Sequence, residues 1–181
     1  MLTLVIPDQE RWSDELNRFF YTKGATIQME HNLVALAKWE SKWHKSFISS
    51  ESLTMTEYLD YLRCMTVTEG IDPNVFYNLT DENMQQINAY MEDPMTATWF
   101  REEENSKGKS KKIITAEVIY GWMVGLEIPF ECQYWHLNRL MTLIRVVNTN
   151  NQPEKKMSMR DRYSRNTALN AARRKKLGTH G

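Results

Sequence analysis

Cysteine is scarce in this chain: two in 181 residues, Cys64 and Cys132, far apart and without a CxxC spacing. That excludes a disulfide-stapled scaffold and a structural zinc site, and it fits a reducing compartment. Glycine and proline are also few, seven and five, which argues against an all-β sandwich with frequent tight turns and favours helices. Long apolar runs are missing as well. The most apolar stretch, Ile113 to Phe130, is interrupted by Glu117 and Glu127, whereas a membrane span needs roughly 20 apolar residues; it reads as a buried helix. No signal peptide is expected, because the apolar start Met1 to Ile6 has no basic leader and runs at once into Pro7, Asp8 and Glu10.

What the chain has is apolar and aromatic content, 41% and 11%, too much for a disordered polymer. A net charge of zero conceals a division. From Gln152 to Gly181 nine basic residues face two acidic ones, a net +7, so the first 151 residues carry −7. Such polarity implies a tail with its own partner, or one that folds back on its own acidic body. Two parts follow: a mainly helical globular domain over 1–151 and a basic C-terminal helical tail over 152–181.

Periodicity sets the expected elements. Leu2 to Ile6 and Ala25 to Met29 read as extended pieces able to pair as a small ribbon; the intervening residues carry no clear pattern. Glu30 to Trp43 has helical spacing. Thr54-Met-Thr-Glu57 has the form of a capping box, opening a helix that runs to Gly70. Asp72-Pro73 starts a short turn, and Thr80 caps a helix stopped by Asp93-Pro94. Met95 to Lys112 reads as a mobile surface loop. Thr115 caps a helix, Ala116 to Leu126, that is apolar nearly all round and in which Gly121 and Gly125 would permit close helix approach. Ile128 to Asn151 is the expected central helix, enclosed on most sides, and a last helix covers Ser158 to about Lys176. The fold class is α+β, mainly α: a helical bundle with a small N-terminal β-ribbon and a C-terminal basic helix.

No constellation points to catalysis. Cys132 and His136 stand four apart, as metal ligands on one helix do, but two ligands without a second pair make no metal site. His31, His44 and His180 are scattered. Lys107-Gly-Lys-Ser-Lys-Lys lacks the first glycine of a phosphate loop, and there is no GxSxG elbow or cysteine-protease context. The sequence predicts no catalytic residue, cofactor or metal. Arg139 and Arg145, on a helix expected to be largely buried, call for a carboxylate such as Glu117, Glu127 or Glu131 or for several carbonyls, as an internal ion pair, or else for a guanidinium that reaches solvent. The tail arginines Arg162, Arg165, Arg173 and Arg174 are candidates for binding protein carboxylates. Nucleic acid is not the expected partner, since Tyr163 alone interleaves them and base stacking wants more aromatics.

Four blocks, EHNLVALAKWESKW, MTATWF, PFECQYWHLNRLMTLIRVVN and SRNTALNAARRKKLGTHG, lie in order from about Met29 to the end. Together they resemble proteins of long-tailed bacteriophages treated as tail assembly chaperones. The resemblance implies a non-enzymatic factor in the cytoplasm of the infected bacterial host, which binds the tape measure protein, a long helical ruler, and keeps it soluble while the tail forms. Other tail proteins, or a second copy of the chain, are further expected partners. Trp99 and Phe100 are the expected apolar anchors, as aromatics dominate binding hot spots. The competing readings are a structural tail protein retained in the virion and a nucleic-acid-binding regulator using the basic tail.

Overall fold

In the computed structural model, which describes residues 1–13, 17–100, 113–151 and 159–178, the N-terminus forms one long antiparallel hairpin. Strand β1 (Leu2–Ile6) pairs with β4 (Ala25–Met29), and β2 (Gln9–Ser13) pairs with β3 (Arg18–Thr22). Ile6 faces Ala25 and Gln9 faces Thr22 in the same register, so the two ladders are one ribbon interrupted by Pro7-Asp8 opposite Lys23-Gly24. Pro7 cannot donate to the ladder. At this corner the Asp8 carboxylate accepts from the Gly24 amide (2.6 Å) and the Tyr21 hydroxyl (2.6 Å).

The inner ladder is half-buried by alternation: Leu4, Ile6, Ile27 and Met29 point into the core, while Val5 lies outside. The expected ribbon over Leu2–Ile6 and Ala25–Met29 is present, and the unpatterned stretch between them extends it as β2 and β3. Side-chain amides fasten the ribbon to the helices: Asn83 Nδ2 donates to the Val5 carbonyl (3.1 Å), and Asn78 Nδ2 to those of Pro7 (3.3 Å) and Thr22 (3.0 Å).

Helices follow where local signals place them. α1 (Leu33–Trp43) is capped by Asn32. α2 (Met55–Met65) begins with the full capping box of Thr54 and Glu57, and a 3-10 turn (Pro73–Asn78) is capped by Asp72. α3 (Asp81–Glu92) has a second capping box, Thr80 with Asn83. α4 (Ala116–Gly125) is capped by Thr115, and α6 (Met159–Leu177) ends at Gly178, which takes the left-handed conformation (φ 65°).

Two expectations fail. α2 stops at Met65 rather than Gly70, because the chain turns to extend the ribbon: the Glu30 amide donates to the Met65 carbonyl and the Val67 amide to that of Gln28, each at 2.8 Å. The expected central helix is broken. Residues Phe130–Tyr134 form a 3-10 turn, and α5 (Leu137–Asn151) begins only after Trp135 and His136. Within α5 only Leu137, Leu140 and Ile144 are buried, so it is not enclosed on most sides.

The hub is instead α1. Trp39 is fully buried; its indole nitrogen donates to the Glu57 carbonyl (2.8 Å), and the Phe47 and Tyr61 rings meet it edge-on. The buried Glu40 carboxylate accepts from the Phe47 amide (3.0 Å) and from the first amide of α4, Ala116 (2.6 Å). Burial raises the Glu40 pKa, partly offset by these two amides. Ser46 Oγ donates to the Ile114 carbonyl (2.5 Å), and the Ile114 amide donates to Ser49 Oγ (2.9 Å). These bonds fix the rotation of α4 against α1, and so decide which side of α4 looks outward.

The chain divides into two compact units, Met1–Asn148 and Thr149–Gly181. Among the described residues no helix is long and apolar enough to cross a membrane.

Candidate functional site

α4 contains a single charged residue, Glu117. Its inner side buries Ala116, Ile119 and Met123. At about 100° per residue, Glu117, Val118, Gly121, Trp122, Val124 and Gly125 occupy the other side; Glu117 is exposed between Val124 and Gly121, Val124 is 62% exposed, Val118 37%, and Trp122 is half-buried. A Cβ placed on Gly121 or Gly125 would meet no atom of the described residues within 4 Å. The expectation of a buried helix is therefore corrected: the glycines stand in a largely apolar floor open to solvent, and among the described residues no other element packs close against them.

Aromatic side chains flank that floor. On one side Phe100, Trp122, Met141 and Ile144 line a groove of about 420 Å³, closed by Thr142, Arg145 and Asn148. The Arg145 guanidinium lies 4.0 Å from the Phe100 ring centroid, a cation–π contact. Next to it Trp99 is 81% exposed. On the other side Tyr120 lies beside Phe130 (ring centroids 6.3 Å) and donates to Gln133 Oε1 (2.9 Å), with Phe130 and Tyr134 both exposed.

Of the two courses expected for the arginines on α5, an internal ion pair or a guanidinium reaching solvent, the second is the one taken. Arg139 and Arg145 are exposed, and each guanidinium rests on an aromatic ring, Arg139 on Trp135 at 4.2 Å. Because α5 is only half-enclosed, neither charge is driven into a buried ion pair with Glu117, Glu127 or Glu131.

Of the sequence-predicted anchors, Phe100 lines the groove, whereas Trp99 is exposed and is not among the residues that line it. Arg165, Arg173 and Arg174 belong to α6, in the other compact unit; Arg162 belongs to the same helix, and its side chain lies outside the described residues. The loop segment 101–112, with the Glu102–Glu104 cluster and the Lys107 to Lys112 run, also lies outside them. Sequence reasoning missed the open side of α4. The signal that could have found it is Gly121 and Gly125 at four-residue spacing among bulky apolar residues.

It also missed a buried imidazole pair. His31, at the end of the ribbon, and His136, just before α5, face each other with ring centroids 5.3 Å apart. His31 Nδ1 shares a hydrogen bond with the Tyr61 hydroxyl (2.7 Å). His136 Nδ1 accepts from the Asn138 amide (3.3 Å), so its Nε2 carries the proton and donates to the Tyr90 carbonyl (3.0 Å). With both nitrogens occupied, His136 is a structural residue. Cys132 is buried in the 3-10 turn, on a different element from His136.

Comparison with family models, curated proteins and solved structures finds no match to this chain.

Proposed function

We propose that this chain is a non-enzymatic assembly factor of a long-tailed bacteriophage, a tail assembly chaperone that holds the tape measure protein soluble in the cytoplasm of the infected bacterium. The observation that carries the proposal is the open side of α4: a largely apolar floor with Gly121 and Gly125 in it and Glu117 as its one charge, flanked by the Phe100–Trp122–Met141 groove and by Phe130 and Tyr134. An exposed apolar patch of this kind marks an interaction surface, and a helix with an apolar stripe fits such a groove. A tape measure helix is an occupant of that chemistry, and the four sequence blocks that resemble the chaperones supply its identity. Glycines in the floor let the occupant's backbone come close, while Phe100 and Trp122 provide aromatic contact area on one wall.

Co-expression with the tape measure protein of the same phage tests this. The expected result is a soluble ruler that copurifies with the chain; an insoluble ruler and no complex would remove the proposal. Detection of the chain in purified virions would favour instead a structural tail protein.

A further inference from the structure

Unit 2 is built on α6, and its chemistry differs from that of the α4 face. Between Met159 and Gly178 stand Arg160, Arg162, Arg165, Arg173, Arg174, Lys175 and Lys176 against Asp161 alone, a net +6. Its apolar residues make no continuous stripe. By helical register Met159, Tyr163 and Leu177 share one side, but Asn166 and Asn170 interrupt it, and Leu169 lies about 100° away. Such a helix has no anchor row for an apolar groove.

The placement of the cations is equally telling. Arg173, Arg174, Lys175 and Lys176 are consecutive, and steps of about 100° send them to all sides of the last turn. One or two of them suffice to complement the negative end of the helix dipole. A carboxylate-bearing protein surface touches a helix on one side and reaches about half of the four. A helix seated in the major groove of a nucleic-acid duplex has phosphates on both walls, and the groove, about 12 Å wide, admits a helix. Along the axis Arg165 and Arg173 are eight residues apart, roughly 12 Å, with Asn166 and Asn170 between them as hydrogen-bonding groups. Poverty in aromatics argues against single-strand binding, where bases stack, but a duplex keeps its bases stacked and asks only for cations and polar donors.

We propose that α6 binds duplex DNA through its phosphate backbone, a second activity independent of the α4 face. Fluorescence anisotropy of the full chain with a labelled 20-base-pair duplex tests it. If the four C-terminal cations each neutralise one phosphate, affinity falls roughly 150-fold between 50 and 200 mM salt. Replacing all four with glutamine (Arg173→Gln, Arg174→Gln, Lys175→Gln, Lys176→Gln) keeps helix propensity and should flatten the salt slope by about 3.6, with circular dichroism confirming the helix. The pair Arg173→Lys and Arg174→Lys should bind like the parent, since charge is what the phosphates require. The proposal is overturned by no binding at 50 mM salt, by binding that the glutamine variant leaves unchanged, or by equal affinity for a single strand. It is also overturned if the same variant abolishes a salt-sensitive self-association seen by sedimentation in place of DNA binding, which would assign α6 to the acidic body of a second copy.

Discussion

His31 and His136 lie far apart in sequence and meet in the core, where charge is costly. Burial, and then the neighbouring His136, lower His31 from the usual 6.5 to about 4. His136 is lowered too, by burial, although its bond to Tyr90 and the charges of Glu30 and Asp93 oppose this. Around the pair stand the Tyr61 hydroxyl and the Tyr90 ring, with Glu30 bound to the Tyr90 hydroxyl (2.6 Å) and to the N-terminal amine (3.0 Å). Because the folded pKa is depressed, the unfolded chain binds the extra proton first. The stability due to neutral His31 is intact above pH 6.5 and is lost as pH falls to about 4, a loss of roughly 3 kcal/mol. Urea unfolding as a function of pH measures it, and replacing His31 with glutamine should flatten the profile in that window. A second residue is decisive at the ribbon corner. A Cβ on Gly24 would stand 2.2 Å from the Ile6 carbonyl oxygen and 2.5 Å from the Pro7 carbonyl carbon, both backbone atoms. Gly24→Ala should cost about 2–3 kcal/mol, read as a lowered denaturant midpoint. Neither feature is legible in sequence, because each arises from residues brought together by the fold.

At the scale of elements, legibility follows how local the cause is. Thr54 with Glu57, Thr80, Thr115 and Asp72-Pro73 announce helix starts because the bonding partner is within three residues. The ends of α2 and the break before α5 depend on partners far along the chain, Gln28 and Glu30 in one case and His31, whose carbonyl takes the Leu137 amide (2.7 Å), in the other. α4 misled for a different reason: a helix apolar nearly all round reads as buried, and the bonds of Glu40, Ser46 and Ser49 to its first residue and to Ile114 before it, which hold it on α1, are invisible in sequence. That open side makes a prediction with two signs. A Cβ at Gly121 meets no atom of the described residues within 4 Å, and Gly121→Gln replaces glycine on the exposed side of a helix, so it should stabilise the chain by up to about 1 kcal/mol, raising the melting temperature by a few degrees, while putting a polar side chain into the floor where a partner would sit.

For the molecule as a whole, the sequence's charge division coincides with two kinds of surface: an acidic body with an apolar face on α4, and a helix with cations on every side of its last turn. The α+β, mainly helical architecture was legible from periodicity and the shortage of glycine and proline. The placement of the candidate site was legible only in part, through Phe100, since Trp122, Met141 and Arg145 join it from elements distant in sequence. The central claim is that the α4 face receives an apolar helical stripe of the tape measure protein. Its most direct test is isothermal titration of soluble tape measure segments into the parent chain and into Gly121→Gln. Binding to the parent, and at least tenfold weaker binding to a Gly121→Gln chain that melts no lower than the parent, is the predicted result. Equal affinity for both chains, or no binding to the parent by any segment, would contradict it.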